Sequence, residues 1–300
     1  MNGNRILQDR GGKTEESITL LHSISLSLRL YISLSFLTTY YYYFSTLSFM
    51  KGKTLDKFYD VKRIIRAHEV DFKNRLRIDS FFIFLQDTAA EHADNVNLGY
   101  SALIKHDLAW VLSWARLEIK TYPGFGEEIT IRTWPKCRYK LYSLRDFYIY
   151  NNNKQIISKA TTAWLPINIK TRRIIDTANL PAPIDYLDEP AIDALPQKIS
   201  AEGHKEFILN KKMRYTDLDL NQHVNNIRYI ELIMDSFDKE QYEKSELKNI
   251  EVHFASESKY DDEIEIYKAN SAPGDCYYIE GIIKRSSKII FQANLEWGMK

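Results

Sequence analysis

The sequence predicts an α+β protein of two repeats, each a long helix wrapped by an antiparallel β-sheet. Three observations carry this: an apolar helical stripe that occurs twice, four strand-like runs after each stripe, and matched segments at a nearly constant offset. In the first repeat, residues 71–96 pass from a short strand pattern (DFKNRLRI) into a helix with Phe81, Leu85, Thr88, Ala89, His92 and Val96 on one face. The strand-like runs LAWVLSWARLEI, EEITIRTW, LYSLRDFYIYN and IISKATTAWLPI follow, separated by turn signals such as Pro123-Gly124 and Asn151-Asn152-Asn153. The second repeat opens on EFILNKKMRY and continues into a helix bearing Val224, Ile227, Ile230, Met234 and Phe237. Its strands are IEVHFASE, DEIEIYKA, YYIEGIIK and KIIFQANLEW, and matched segments of the two halves lie 133 to 137 residues apart.

A helix followed by a sheet, twice over, lets each sheet bury one apolar face on its helix, which is the logic of a tandem (double) hotdog fold. Between the halves, residues 181–200 hold four of the eight prolines and four acidic residues, the composition of an extended connector. The expected organisation is therefore an N-terminal hotdog domain over residues 50–180, a Pro- and acid-rich linker over 181–203, and a C-terminal hotdog domain over 204–300. Residues 1–49 read as a leader outside these domains, non-native or disordered, with Met50 as a candidate native start. Leu30 to Met50 carry no charge, but Ser, Thr and four consecutive tyrosines make a poor transmembrane helix. A membrane or export segment and a plastid address are the alternatives for this stretch, so stable membrane insertion is not expected. The expected location is cytoplasmic, or the plastid stroma if the leader is a transit peptide.

Composition excludes several classes. With 41 Lys and Arg against 40 Asp and Glu, no whole-surface field exists to attract nucleic acid. Two cysteines without CxxC spacing and seven scattered histidines without an HExxH pattern leave neither a disulfide framework nor a metal site. No glycine-rich phosphate loop occurs, so neither metal nor cofactor is expected.

The chemistry concentrates before the second helix, in Arg214-Tyr-Thr-Asp217-Leu-Asp219-Leu-Asn221-Gln-His223-Val-Asn225-Asn226. An ordinary account is available: Asp219 or Asn221 as an N-cap, and the remaining polar residues as solvated surface. The functional account has Asp219, Asn221 and His223 alternate along an extended turn and project to one side, with the amides of the helix's first turn aimed at the same spot.

At this point the chain resembles a known family. LDLNQHVNNIRYIE looks like the signature of the acyl-acyl carrier protein (acyl-ACP) thioesterases of plants and bacteria, which hydrolyse the thioester that ends fatty-acid synthesis. The likeness extends over roughly residues 68–300 and includes TYPGFGEEITIRTW and WLPINIKTRR. It implies a catalytic network of Asp219, Asn221, His223 and a glutamate, which the segment IEVHFASESKYDD places at Glu257. Many plant members carry cysteine directly after that glutamate, whereas Ser258 stands here, so direct attack by water is favoured over a covalent intermediate. Either Asp219 or Glu257 is left as the general base. The resemblance also implies acyl carrier protein as partner, with a homodimer left open; a hotdog thioesterase acting on acyl-CoA and a non-catalytic acyl-binding module are the alternative readings.

The first repeat lacks the motif: RIDSFFIFLQ stands opposite DLDLNQHVNN, leaving Asp79 alone, and His92 reads as a core or groove-facing residue. The N-terminal domain is instead expected to supply an acyl tunnel, with Phe81, Leu85 and Trp110 as lining residues. Between Lys136 and Arg173 stand nine basic residues and one acid, a local patch that would dock an acidic carrier through Lys170, Arg172 and Arg173.

Overall fold

The structure is a computed structural model that describes residues 57–201, 203–272 and 274–299. The leader expected over residues 1–49 lies outside the described residues. The first half comprises β1 (Tyr59–Ile64), α1 (Ile78–Asn95), α2 (Tyr100–Leu103), β2 (Leu108–Ile119), β3 (Glu128–Tyr139), β4 (Tyr142–Tyr150), β5 (Ile156–Asn168) and the two-residue β6 (Arg173–Ile174). The second half comprises β7 (Glu206–Lys212), α3 (Asn226–Asp235), α4 (Lys239–Lys244), β8 (Ser245–Phe254), β9 (Glu263–Ala272), β10 (Cys276–Ile283) and β11 (Lys288–Met299).

Among the described residues all strands join one antiparallel sheet in the order β1-β3-β4-β5-β2-β8-β11-β10-β9-β7, with β6 beside β5. The order reads alike from both ends when β1 is matched to β7, β3 to β9, β4 to β10, β5 to β11 and β2 to β8. The halves meet where β2 pairs with β8, from Trp114 opposite His253 to Glu118 opposite Asn249. There Trp114 Nε1 donates to Glu251 Oε1 at 2.8 Å, which gives the buried indole N–H a partner. Each half thereby covers the other's open edge, where unpaired backbone groups would otherwise be exposed.

Helices α1 and α3 pack against each other, α1 also against β3 and α3 against β10. Phe81, Leu85 and Ala89 from α1 share a core with Ile227, Ile230 and Ile233 from α3 and with inward-facing residues of both half-sheets. The stripe expected on the first helix is the buried one, apart from Val96 at the helix end.

Three expectations about elements are corrected. DFKNRLRI is a turn closed by the bridge Val70–Leu76, because Asp71 collects the amides of Lys73 and Arg75 and Asn74 sits at φ 56°. The edge strand is β1, further upstream, paired with β3. The second helix is shorter than the first, 10 residues against 18, so Val224 precedes it and Phe237 follows it. The connector is extended but packed. Ala191, Ile192 and Ile199 are buried, Leu187 N donates to Pro135 O at 2.8 Å, and Trp134 Nε1 donates to Glu189 O at 3.0 Å.

That connector is held by an ion pair. Asp146 is wholly buried; its Oδ1 accepts from Thr161 Oγ1 at 2.7 Å and its Oδ2 from Ala191 N at 2.5 Å. Lys136 Nζ stands 3.6 Å from Asp146 Oδ2 and donates to Ile192 O at 2.7 Å. Burial pushes the Asp146 carboxyl up, opposed by these hydrogen bonds and the Lys136 charge.

His92 is a core residue of α1. Its ring stacks on Tyr59 with centroids 5.3 Å apart, and its Nδ1 faces Arg145 Nη1 at 2.9 Å. Burial, then the Arg145 charge, lower its pKa from 6.5 to about 3, so near neutrality the uncharged ring accepts that hydrogen bond. Between these two values the unfolded chain takes up a proton that the folded chain refuses. The stability contribution is thus complete above pH 6.5 and is lost as pH falls toward 3. In His92→Gln the acid-side slope of unfolding free energy against pH should flatten by about 1.4 kcal/mol per pH unit, one proton's worth. Chemical denaturation at stepped pH measures this, and an unchanged slope would refute it.

Candidate active site

The site is built on a closed turn between β7 and α3. Leu218 bridges Val224, Asp219 N donates to His223 O at 2.7 Å, and Gln222 takes φ 62°. Asp219 Oδ1 accepts from Asn221 N at 2.8 Å and from His223 N at 3.1 Å, so this carboxylate organises the turn from within. The expectation of an extended turn is corrected accordingly. Asn221 is exposed at the tip and His223 is half-buried on the return.

The helix cap is Asn225, whose Oδ1 accepts from Ile227 N at 2.9 Å and whose carbonyl accepts from Arg228 N at 2.9 Å. These first-turn amides are therefore committed to the cap and not aimed at the His223 side of the turn, contrary to the sequence expectation.

A segment beyond β8 completes the cluster. His223 forms a bridge with Lys259, and Val224 N donates to Ser258 O at 3.0 Å, which draws Glu257 beside the imidazole. His223 Nε2 lies 3.4 Å from Glu257 Oε2. The structure thus brings Asp219, Asn221, His223 and Glu257 to one turn and its neighbour, with Glu257 rather than Asp219 next to the ring nitrogen.

Ser258 points elsewhere. It is fully buried; its Oγ shares a hydrogen bond with Tyr229 OH at 2.9 Å, and its N donates to the same phenol oxygen at 3.1 Å. Burial raises the Tyr229 pKa, which keeps the phenol protonated. Ser258 is therefore a packing and hydrogen-bonding residue of the wall behind Glu257. In Ser258→Ala, kcat should stay within about threefold of wild type while stability falls by about 1 kcal/mol for the lost hydrogen bond. An inactive but folded variant would instead make Ser258 the nucleophile of a covalent route.

The first half holds a counterpart of this turn. Asp71-Phe-Lys73-Asn-Arg75 follows a 3-10 turn, closes by a bridge and carries a left-handed residue at the same step as Asp219-Leu-Asn221-Gln-His223. The counterpart of the motif is thus Asp71, Lys73 and Arg75, not Asp79, which instead pairs with Arg77. Arg75 there binds Asp71 through Nε at 2.9 Å and Nη2 at 2.7 Å, a structural pair without Asn-x-His chemistry.

The expected tunnel residues part company. Phe81 and Leu85 belong to the main core, Phe81 edge-on to Tyr122 at 5.9 Å. Trp110 packs on a separate cluster of Leu98, Leu103 and Leu108, and its Nε1 donates to Leu98 O at 3.0 Å. The basic run is likewise not one face. Lys136 is buried on Asp146, Arg145 turns to His92, and Arg138 pairs with Asp176 at 2.6 Å. Lys170 pairs with Asp107 at 2.7 Å and Arg173 is exposed. Arg172 touches Glu257 through Nη2 to Oε2, so it is part of the site and not outside it. Sequence reasoning missed that role; in the linear order nothing links residues 85 apart.

Comparison with known proteins agrees with this architecture. Residues 56–179 match the acyl-ACP thioesterase N-terminal domain and residues 200–299 the acyl-ACP thioesterase C-terminal domain. The chain belongs to the acyl-ACP thioesterase family. Among similar relatives, it is 27% identical over 235 residues to oleoyl-acyl carrier protein thioesterase 2, chloroplastic, of Arabidopsis thaliana, covering 72% of this chain and 64% of that one. It is 28% identical over 230 residues to a palmitoyl-acyl carrier protein thioesterase, chloroplastic, of Cuphea hookeriana, covering 71% and 55%. The chain spans between about half and two thirds of the length of the curated relatives it matches. An acyl-ACP thioesterase structure from Bacteroides thetaiotaomicron superposes with TM-score 0.75 and 26% identity over 81% of this chain and 98% of that one. The 12:0-ACP thioesterase from Umbellularia californica shares the fold, with TM-score 0.68 and 21% identity over 83% and 100%. The acyl-ACP thioesterase fold is the tandem hotdog that the repeats of this sequence predict.

Proposed function

We propose that the protein hydrolyses the thioester of fatty acyl-ACP to free fatty acid and holo-ACP, so ending chain elongation. The contact of Glu257 Oε2 with His223 Nε2 at 3.4 Å carries this reading, since it pairs a carboxylate with an imidazole on the turn whose exposed tip carries Asn221. Glu257 and His223 act together as the base that takes a proton from water, and the water oxygen attacks the acyl carbonyl. The Asn221 amide donates to the oxygen as negative charge develops on it, and the thiolate of phosphopantetheine leaves. Asp219 holds the turn that presents both Asn221 and His223. Membership of the family and the thioesterases among its relatives support acyl-ACP as the substrate.

In this reading the acyl chain enters the shared core beside Phe81 and Leu85, and the carrier protein docks on exposed Lys170 and Arg173 of the β5–β6 hairpin. Among the described residues no helix is long and apolar enough to cross a membrane. The reaction belongs where fatty acids are made, in the cytoplasm, or in the plastid stroma if residues 1–49 act as an address.

The test is release of free thiol by the full chain from acyl-ACP, acyl-CoA and acyl-pantetheine of matched chain length. Acyl-ACP should have the highest kcat/KM, and added salt should raise KM for acyl-ACP alone, because exposed charges are screened beyond about 8 Å at physiological ionic strength. Equal turnover of acyl-CoA would sink the carrier-protein assignment, and no turnover of any thioester would sink the thioesterase reading.

A further inference from the structure

We infer that Arg172 is a positioning residue for Glu257, so that the N-terminal half contributes a working part to a site otherwise built by the C-terminal half. The inference rests on the thioesterase reading of the same site. Its basis is a single shared oxygen: Glu257 Oε2 meets both His223 Nε2 and Arg172 Nη2. A carboxylate that lies beyond the end of β8 on an irregular segment has several rotamers open to it, and a guanidinium held on the same oxygen that faces the imidazole removes that freedom.

Arg172 is itself held in place. It sits in the turn of the β5–β6 hairpin, where Ile167 pairs with Ile174 and Asn168 with Arg173. Asn168 Oδ1 accepts from Lys170 N at 3.1 Å, from Thr171 N at 2.9 Å and from Thr171 Oγ1 at 3.1 Å, while Arg172 N donates to Asn168 O at 2.8 Å. Arg172 takes φ 58°, a left-handed conformation that a non-glycine residue adopts at some cost. The hairpin is anchored again where Ile169 N donates to Asp107 O at 2.8 Å. The guanidinium is thus presented from a braced turn, whereas its neighbours Lys170 and Arg173 are directed to Asp107 and to solvent.

Two consequences separate positioning from docking. A docking arginine would act on KM for acyl-ACP and leave a small thioester untouched, because acyl-pantetheine has no carrier protein to bind. A positioning arginine acts on kcat for both substrates, because both react at Glu257 and His223. It should also be replaceable in part by lysine, which can reach the carboxylate with one donor but not with a planar fork.

The experiment uses the full chain with Arg172→Gln and Arg172→Lys. In Arg172→Gln, kcat for acyl-pantetheine should fall by about tenfold to a hundredfold with KM within about twofold, as expected when a reacting group is misplaced by about 1 Å. Arg172→Lys should recover part of the loss, and the thermal unfolding midpoints should stay close to wild type. A second readout needs no turnover: the Nε2 resonance of His223 should shift in Arg172→Gln, because the shared carboxylate moves. A rise in KM for acyl-ACP with acyl-pantetheine kcat unchanged would overturn the inference in favour of docking, as would an unmoved His223 resonance. If wild type cleaves no thioester, the proposed function fails, and the resonance alone still decides the place of Arg172.

Discussion

His223→Ala and Glu257→Ala are each expected to lower kcat by about a hundredfold or more while the protein stays folded. The reason is geometric. His223 and Glu257 stand 3.4 Å apart at the surface of a turn whose backbone is organised by Asp219, so neither side chain holds the turn together. Loss of a general base costs on the order of 10² to 10⁴ in rate. The double variant should be little worse than either single one, because the pair acts as a unit. Steady-state kinetics on acyl-ACP, with far-UV circular dichroism to confirm folding, provide the check. Near-native turnover in one variant would remove that residue from the reaction. Asp219→Ala, by contrast, should impair both activity and the local fold, since two turn amides would lose their acceptor.

Asp146→Ala is expected to destabilise the protein by about 3 to 5 kcal/mol, the cost of stranding a buried charge by deleting its partner. Lys136 is 5% exposed and keeps only the Ile192 carbonyl once Asp146 is gone. The amide of Ala191 and the hydroxyl of Thr161 lose their acceptors in the same step. The connector between the halves is then released from the face of the sheet. A urea unfolding curve should show a lower midpoint, and Lys136→Met in the same background should recover part of the loss by removing the stranded ammonium. A shift below about 1 kcal/mol would mean that water or a local rearrangement satisfies Lys136.

Much of the fold is visible in short-range pattern. Apolar, β-branched and aromatic residues concentrated in LAWVLSWARLEI and IISKATTAWLPI mark β2 and β5, which lie inside the sheet and are buried over much of their length. The stripe through Phe81, Leu85 and Ala89 marks α1, whose buried face repeats at the helical period. Where polar residues serve the backbone instead of solvent, pattern misleads. DFKNRLRI alternates like a strand, yet its aspartate closes a turn on its own neighbours. The motif Asp219-x-Asn221-x-His223 also stands out locally, although its compactness hides that Asp219 is spent on turn amides.

The remainder depends on which distant segments meet. No local signal pairs β2 with β8, since edge pairing is decided by backbone groups that every residue shares and by the burial that closure allows. Alternation along β3 and β4 likewise could not tell that Lys136 and Arg145 turn inward to Asp146 and His92 while Lys170, beyond β5, stays at the surface. Arg172 is the sharpest case: as one arginine in a basic run it resembles its neighbours, and only the hairpin that carries it across to the segment after β8 makes it a partner of Glu257. Residue type and spacing alone therefore establish the repeat, most of its helices and strands, and where the turn bearing Asp219, Asn221 and His223 lies, but not how that turn closes. Which carboxylate faces the imidazole, and which cation faces that carboxylate, follow from long-range packing, because electrostatic contacts depend on separations in space of a few ångströms and not on separation along the chain.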